Sequence, residues 1–307
     1  MKIGFVTDST CDLPLSILKE EEIYILPSKI LVDGKYSYDY RDEKTIQDIY
    51  KHIHNNKKLS TEALSVDEIS NIFCNILSEH DYDYLVVLTT MAKKSQFFVN
   101  CTEAAIKVKK QCQDARKEKG FSLNPIIHVI DSNQSSVGIG ILLSTIIKTS
   151  KEYLNFDDFL ESINEIKSRT NMLFIPNDIK KLFFDERNKT SDILKLTSYL
   201  AAQINTKPVL FFRNGETSVI STQVGMKRSI NKAIAHLVSI IYENQLAEPF
   251  IHLAYSGPLE ELKNNKNYLR LLEIIQEKNI KIYKSNIGGT LASHIGIRSL
   301  TISYITK

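Results

Sequence analysis

The stretch Ile3-Gly4-Phe5-Val6-Thr7-Asp8-Ser9-Thr10-Cys11-Asp12-Leu13-Pro14 sets the reading of the chain. Ile3 to Val6 is a compact apolar run, a polar segment follows, and Pro14, whose fixed φ suits a first helical turn, opens the next element. The same unit recurs. Leu85 to Leu88 is a fully apolar strand that runs into Thr89-Thr90 and a helix through Val99, Ala105 and Val108. Ile126 to Ile130 ends in Asp131-Ser132, and a helix containing Ile139 to Ile147 comes next. Apolar strands alternating with helices are the pattern of parallel β-α units with both sheet faces covered. Between these units, Ile23 to Ile30 reads as a strand interrupted by Pro27, and Asp33-Gly34 as a hairpin turn leading to Tyr36 and Tyr38. Helical spacing marks 45–54 (Ile46, Ile49, Tyr50, Ile53) and 66–77 (Ile69, Ile72, Phe73, Ile76, Leu77).

The second half reads differently. Its candidate strands are Leu173–Ile175, Pro208–Phe212, Ser218–Ile220, Ile251–Ala254, Ile282–Tyr283 and Thr301–Tyr304, with a hairpin around Asn214-Gly215 and helices at 157–168 and 227–243. The fold class is therefore α/β: an N-terminal domain with a mostly parallel sheet flanked by helices, and a C-terminal α+β domain. The boundary is placed within 155–170, giving domains 1–160 and 161–307.

The 307 residues are ample for an apolar core, and 43% apolar with 24% charged is ordinary for a globular protein. Thirty-nine Lys and Arg against 36 Asp and Glu leave +3, too balanced for a nucleic-acid partner held by electrostatics. The basic groups Lys107/Lys109/Lys110 and Arg116/Lys117/Lys119 read as a solvated helical face. The four cysteines, at 11, 74, 101 and 112, have neither disulfide-scaffold density nor zinc-ligand spacing, so free thiols in a reducing cytosol and no metal are expected. No signal peptide opens the chain and no apolar run of about 18 residues spans a bilayer, so a cytoplasmic location is expected.

Three apolar strands end in hydroxyls or carboxylates: Thr7-Asp8-Ser9-Thr10, Thr89-Thr90, and Asp131-Ser132 with Ser135-Ser136. In an open parallel sheet these ends share one edge, where ligands bind and helix N-termini offer unpaired N–H groups. Neutral donors there suit a carboxylate or phosphate, with Asp8, Ser9, Ser132 and Ser136 at the pocket edge. Ordinary N-capping accounts for any one segment by itself. Several enzyme patterns fail on spacing. Asp8 is followed by Ser9-Thr10 rather than Asp-x-Asp, and Gly138-Ile139-Gly140 has Leu143 at the third dinucleotide-fingerprint position. No Gly-rich phosphate loop, H-E-x-x-H or G-x-S-x-G is present. A Ser–His pair such as Ser95 with His294 stays open, and the other six histidines read as structural or exposed.

Seven stretches in order resemble the motifs of the DegV family, bacterial proteins that hold one long-chain fatty acid. The opening Asp8-Ser9-Thr10-Cys11-Asp12-Leu13-Pro14 resembles the family's start, and Thr61-Glu62-Ala63-Leu64-Ser65 its T-S-Q-P-S element. Leu88 to Cys101 is similar to the segment with L-S-G-T-Y, keeping Ser95 but placing Gln96-Phe97-Phe98 where G-T-Y stands. Asp131-Ser132, Ser136, Gly138 and Gly140 reproduce D-S-x-x-x-S-x-G-x-G in full. Leu182 to Arg187 resembles a region ending G-G-R, Lys207-Pro208-Val209-Leu210 a K-P-[IV]-L strand, and Ser293-His294-Ile295-Gly296 a T-H-x-G-P-G element that continues here as Ile297-Arg298.

The resemblance implies two domains, an acyl chain (such as a C16–C18 acid) in an apolar tunnel, and a carboxylate at their junction held by Thr61 and Ser95 with Arg187 and His294 nearby. It implies a carrier without catalysis of its own or a cofactor, presenting the acid to a fatty acid kinase that makes acyl phosphate for phospholipid synthesis. The lost glycines at 96, 185, 186 and 298 are expected where backbone packs closely or takes φ > 0. Glu62 beside Thr61 is expected to face outward, while Lys93 and Lys94 could attract a carboxylate. Two other readings stand beside the carrier. One is a small-molecule enzyme using Asp8, Ser95 and Asp131 on a phosphorylated substrate. The other is a degenerate scaffold whose pocket is closed by Phe97, Phe98 and Arg298.

Overall fold

A computed structural model describes residues 1–184 and 205–307. The chain opens with β1 (Ile3–Asp8), a short 3-10 turn (Ser9–Cys11), α1 (Leu15–Glu20) and β2 (Ile23–Leu26). A meander follows of β3 (Ser28–Val32) and β4 (Lys35–Asp39), then α2 (Glu43–His54) and β5 (Leu59–Glu62). Next come α3 (Val66–Glu79), β6 (Tyr84–Thr89), α4 (Phe97–Gln111), α5 (Gln113–Glu118), β7 (Ile126–Asp131), α6 (Val137–Ser150) and α7 (Phe156–Arg169). Strands β2-β1-β6-β7 form a four-stranded, all-parallel sheet. One face carries Phe5, Val86 and Leu88 against α6 and α7; the other carries Val6, Leu85 and Val87 against α3 and α4. Burial on both faces explains why these strands are uniformly apolar instead of alternating.

Pro27 does more than interrupt one strand. It separates β2 from β3, which belong to different sheets: β3 pairs antiparallel with β4 and β5 in a three-stranded sheet of its own. A residue without an N–H cannot continue a ladder, so the chain changes partners there.

The C-terminal half contains β8 (Thr170–Ile175), α8 (Ile179–Phe184), β9 (Thr206–Arg213), β10 (Glu216–Val224), α9 (Met226–Tyr242) and β11 (Phe250–Tyr255). It closes with α10 (Lys266–Glu277), β12 (Lys281–Asn286), α11 (Gly289–Ile295) and β13 (Leu300–Ile305). Its six strands form a mixed sheet in the order β10-β9-β8-β13-β11-β12. The sheet changes at Arg169–Thr170, so the division drawn at 160/161 falls inside α7, whose Phe156, Phe159 and Ile163 pack in the N-terminal core. Helix α6 buries Val137 through Leu143 and is packed by both large sheets, which accounts for its apolar residues on every side. Strand β10, anticipated as three residues, runs for nine with an irregularity between Val219 and Ser221.

One charged residue overturns its sequence reading. Arg116 is fully buried, not part of a solvated face, whereas Lys117 and Lys119 are exposed. Its guanidinium donates to the carbonyls of Leu77, His80, Tyr82 and Ser122, at 2.5 to 3.1 Å, thereby closing the carboxyl end of α3. Charge-assisted bonds from a fully buried guanidinium are strong, so Arg116→Met is expected to destabilise the protein by about 2–4 kcal/mol. A lowered urea midpoint with unchanged slope would register this; an unchanged midpoint would refute it.

Candidate functional site

The carboxyl edge of the parallel sheet, the three-stranded meander and β8–β9 of the mixed sheet enclose a cavity of about 390 Å³. Its long wall is apolar. Met172 and Phe174 on β8 stand opposite Phe212 and Leu210 on β9, and Met91 and Leu291 complete it. The alternate residues Leu173, Ile175 and Val209 turn to the core beneath α9 and α10. Period-two alternation thus gives each strand one face for the core and one for the cavity.

One part of the rim is polar. Thr61 lies on the inward face of β5, in register with buried Ile30, and its Oγ1 is 2.8 Å from His294 Nε2 on α11. Ser95 lines the same cavity. Its Oγ accepts from Phe97 N at 3.2 Å, starting α4, which leaves the serine O–H to donate elsewhere. Glu62 pairs in register with Lys29 on the opposite face from Thr61, and its Oε2 receives Tyr36 Oη–H at 3.4 Å. It touches the rim while its carboxylate is engaged outward. Arg187 lies outside the described residues.

Three of the four residues expected at the pocket edge stand behind it. Asp8 is buried and accepts from Thr10 N (3.0 Å), Thr10 Oγ1 (2.5 Å), Thr90 N (2.5 Å) and Thr90 Oγ1 (3.3 Å). Burial raises its pKa, and these donors pull it back down. Ser9 exchanges hydrogen bonds with Ser28 Oγ and N, both at 3.0 Å. Ser132 closes a turn on Gln134. Thr10, Thr90 and Ser28, held by Asp8 and Ser9, are the residues on the wall. The polar side chains nearest the strand ends are taken up by capping and turns, so the hydroxyls that line the cavity are their neighbours.

Ser136 does reach the cavity, with φ 51° and ψ −138°, a conformation that favours glycine. Its Oγ donates to Asp12 Oδ2 at 2.5 Å and lies 3.1 Å from Thr301 Oγ1. Asp12 Oδ1 receives Arg41 (2.9 Å) and Gly288 N (2.7 Å). Both side chains of this ion pair are buried, at 0% and 3% exposure. Asp39 accepts the N–H of Arg41, and the N–H (3.0 Å) and hydroxyl (2.8 Å) of Thr290, another wall residue. Sequence reasoning passed over Arg41 and Asp39, for no local motif marks a pair closed across the fold. Among the described residues no cluster of His, Cys, Asp and Glu suits a metal ion, and no helix is long and apolar enough to cross a membrane.

A family model described as the DegV family matches residues 2–307. The chain belongs to the DegV family. A DegV domain-containing protein of Xanthomonas campestris is 26% identical over 310 residues, covering 100% of this chain and 98% of its own. Among solved structures, a DegV lipid-binding protein of Thermotoga maritima superposes with a TM-score of 0.77 at 18% identity, over 100% of this chain and 99% of that one. A stearic acid-binding protein of Eubacterium ventriosum gives a TM-score of 0.77 at 19% identity, over 100% and 98%.

The geometry also explains the departures from DegV motifs. Gly140, retained, could not carry a side chain: a Cβ there would sit 2.6 Å from Cys11 O and 2.7 Å from His252 Nδ1. Gln96, in a lost-glycine position, has φ −79°, a backbone any residue adopts, so no strain arises there. Arg298 does take φ 64°, but its side chain is exposed and bonds Glu261 through two nitrogens at 3.1 Å. Positions 185 and 186 lie outside the described residues.

Burial raises the Asp12 pKa from 3.8 to about 6, opposed by Arg41, Ser136 and the Gly288 N–H. The native state therefore holds this proton more tightly than the unfolded chain, and the stability that protonation confers is present below pH 3.8 and lost as pH rises through about 6. Asp12→Asn removes that titration. Urea midpoints should show the wild type losing ground to Asp12→Asn from pH 4 to 6, with a constant difference above about 7; a difference flat throughout would show the native pKa unshifted.

Proposed function

We propose that this chain binds one long-chain fatty acid, with the acyl tail along the Met172, Phe174, Leu210 and Phe212 wall and the carboxylate at Thr61, Ser95 and His294. The observation that carries the reading is the meeting of Thr61 and His294 at the rim of a cavity that Ser95 also lines and whose long wall is apolar. A carboxylate leaving water needs replacement donors, and two hydroxyls and an imidazole are suited to supply them. The cavity draws walls from both large sheets, which supports a site between the N-terminal (1–160) and C-terminal (161–307) parts of the chain. The fatty-acid ligand of the Eubacterium relative supports the ligand class. Arg187, by its motif position, is assigned to the same head group.

Within this reading the chain is a carrier that performs no chemistry itself. The bound acid, its carboxyl at the rim, is handed to a separate ATP-using fatty acid kinase for conversion to acyl phosphate. The alternative of an enzyme acting on a phosphorylated substrate loses support from the geometry, since neither Asp8 nor Asp131 lines the cavity and Asp131 accepts from Asn133 N at 2.9 Å. The closed-scaffold alternative conflicts with the cavity itself: Phe97 is part of its wall, Phe98 is not, and Arg298 is exposed.

Protein purified without delipidation should release a long-chain fatty acid on denaturation, detected by mass spectrometry. Thr61→Val, which keeps the shape and removes the hydroxyl, should weaken fatty-acid binding about tenfold, the worth of a hydrogen bond to a charged group. Binding at wild-type strength in a fluorescent displacement titration would remove Thr61 from the head-group site.

A further inference from the structure

Among the described residues, the cavity wall includes a lysine, Lys94, whose positive charge the neutral hydroxyls do not supply. The loop between β6 and α4 is pinned where Met91 N donates to Gln134 O and Lys94 N donates to Met91 O, both at 3.0 Å. That turn exposes Lys93 and leaves Lys94 half-buried on the cavity wall, directly before Ser95. In the L-S-G-T-Y element, Lys94 stands at the leucine and Phe97, buried on the same wall, at the threonine. This rim has therefore exchanged a hydroxyl for a phenyl ring and an alkyl group for an ammonium.

We infer that Lys94 is a specificity-determining residue, a cation on the cavity wall that selects an ionised acid over a neutral lipid of the same length. The inference rests on the carrier reading above and adds to it the group that reads charge. A lysine stem lies comfortably along apolar surface while its ammonium stays at a wet edge. As a compact point charge it attracts a carboxylate without demanding one fixed geometry. A bond from an ammonium to a carboxylate is ionised on both sides, so one ammonium can stand in for a lost threonine hydroxyl. The neutral donors Thr61 and Ser95 can bond an alcohol as well as an acid, whereas an ammonium adds a full charge that favours only the acid.

The test is displacement of a fluorescent acyl probe from delipidated protein by stearic acid and, separately, by stearyl alcohol. Lys94→Met should lower affinity for the acid about tenfold and leave the alcohol within about twofold, as expected for loss of a charge contact. Lys94→Arg should keep the preference for the acid, and Lys93→Ala should change neither affinity. If Lys94→Met weakens both ligands alike, the residue packs the wall and reads no charge, and the inference falls. It falls equally if affinity for the acid is unchanged. A wild type that binds neither ligand overturns the carrier reading, a failure distinct from wild-type binding that is indifferent to Lys94.

Discussion

The architecture turns on one carboxylate removed from water. Asp12 sits where the first β-α unit would run straight into its helix, and its side chain is fully buried. A buried charge is costly unless donors surround it. Its donors come from distant points of the chain: Arg41 after β4, Ser136 before α6, and the N–H of Gly288 before α11. Arg41 also reaches the carbonyl of Asn286 at 2.8 Å, at the end of β12. Satisfying one anion thus requires the parallel sheet, the meander and the C-terminal half to come together. Removal of any partner would leave an uncompensated charge, which makes the junction specific even though a buried ion pair is no guarantee of added stability.

The same requirement shapes the cavity. Asp12, Arg41 and Ser136 are all held at positive φ (52°, 67° and 51°), each at a cost of order 1–3 kcal/mol unless neighbours fix it. Here the ion pair and its hydrogen bonds supply that fixing. Gly288 allows the approach, for a Cβ there would lie 2.6 Å from Arg41 Nη1. With Gly288 and Thr290 anchored, α11 is oriented so that His294, one turn further on, meets Thr61. The buried network touches the cavity through Ser136, Thr290 and Thr301, and it decides where the rim donors stand.

Parallel strands were legible because burial on both faces writes a continuous apolar run, as in Leu85 to Leu88. The edge they share was legible because connections to helices all leave from it. Which hydroxyl on that edge faces a ligand was not. Asp8, Ser9 and Ser132 have the same composition signature as Thr10, Ser28 and Ser135, and only three-dimensional pairing separates those that close turns from those on the wall. Arg116 misled for a related reason: its spacing fits an exposed helical face, and only the backward reach of its guanidinium to the end of α3 shows otherwise. The Met172, Phe174, Leu210 and Phe212 wall was written in alternation, but each strand also feeds a core, so the pattern does not say which face is open. Thr61, Ser95 and His294 were placed by motif resemblance, since residues so far apart in sequence carry no local sign that they share a cavity.

On the carrier reading, the division of labour inside the cavity lets a head-group motif drift without loss of the ligand class. Burying a methylene is worth about 0.8 kcal/mol, so a sixteen-carbon tail gains roughly 12 kcal/mol before association costs. A single hydrogen bond from a hydroxyl to the ionised acid contributes about 1.5–3 kcal/mol net. Affinity is consequently dominated by the tail, and exchange of one rim hydroxyl for a ring leaves most of it in place. What the rim controls is direction. A tail inserted the other way would bring its carboxylate against the apolar side chains of Met172, Phe174 and Phe212, which cannot replace water, and desolvating an ionised group unpaired costs far more than any rim bond returns. Orientation is thus set by the penalty for the wrong end as much as by the attraction of the right one. The polar end can be rebuilt from different donors as long as the apolar wall stays apolar.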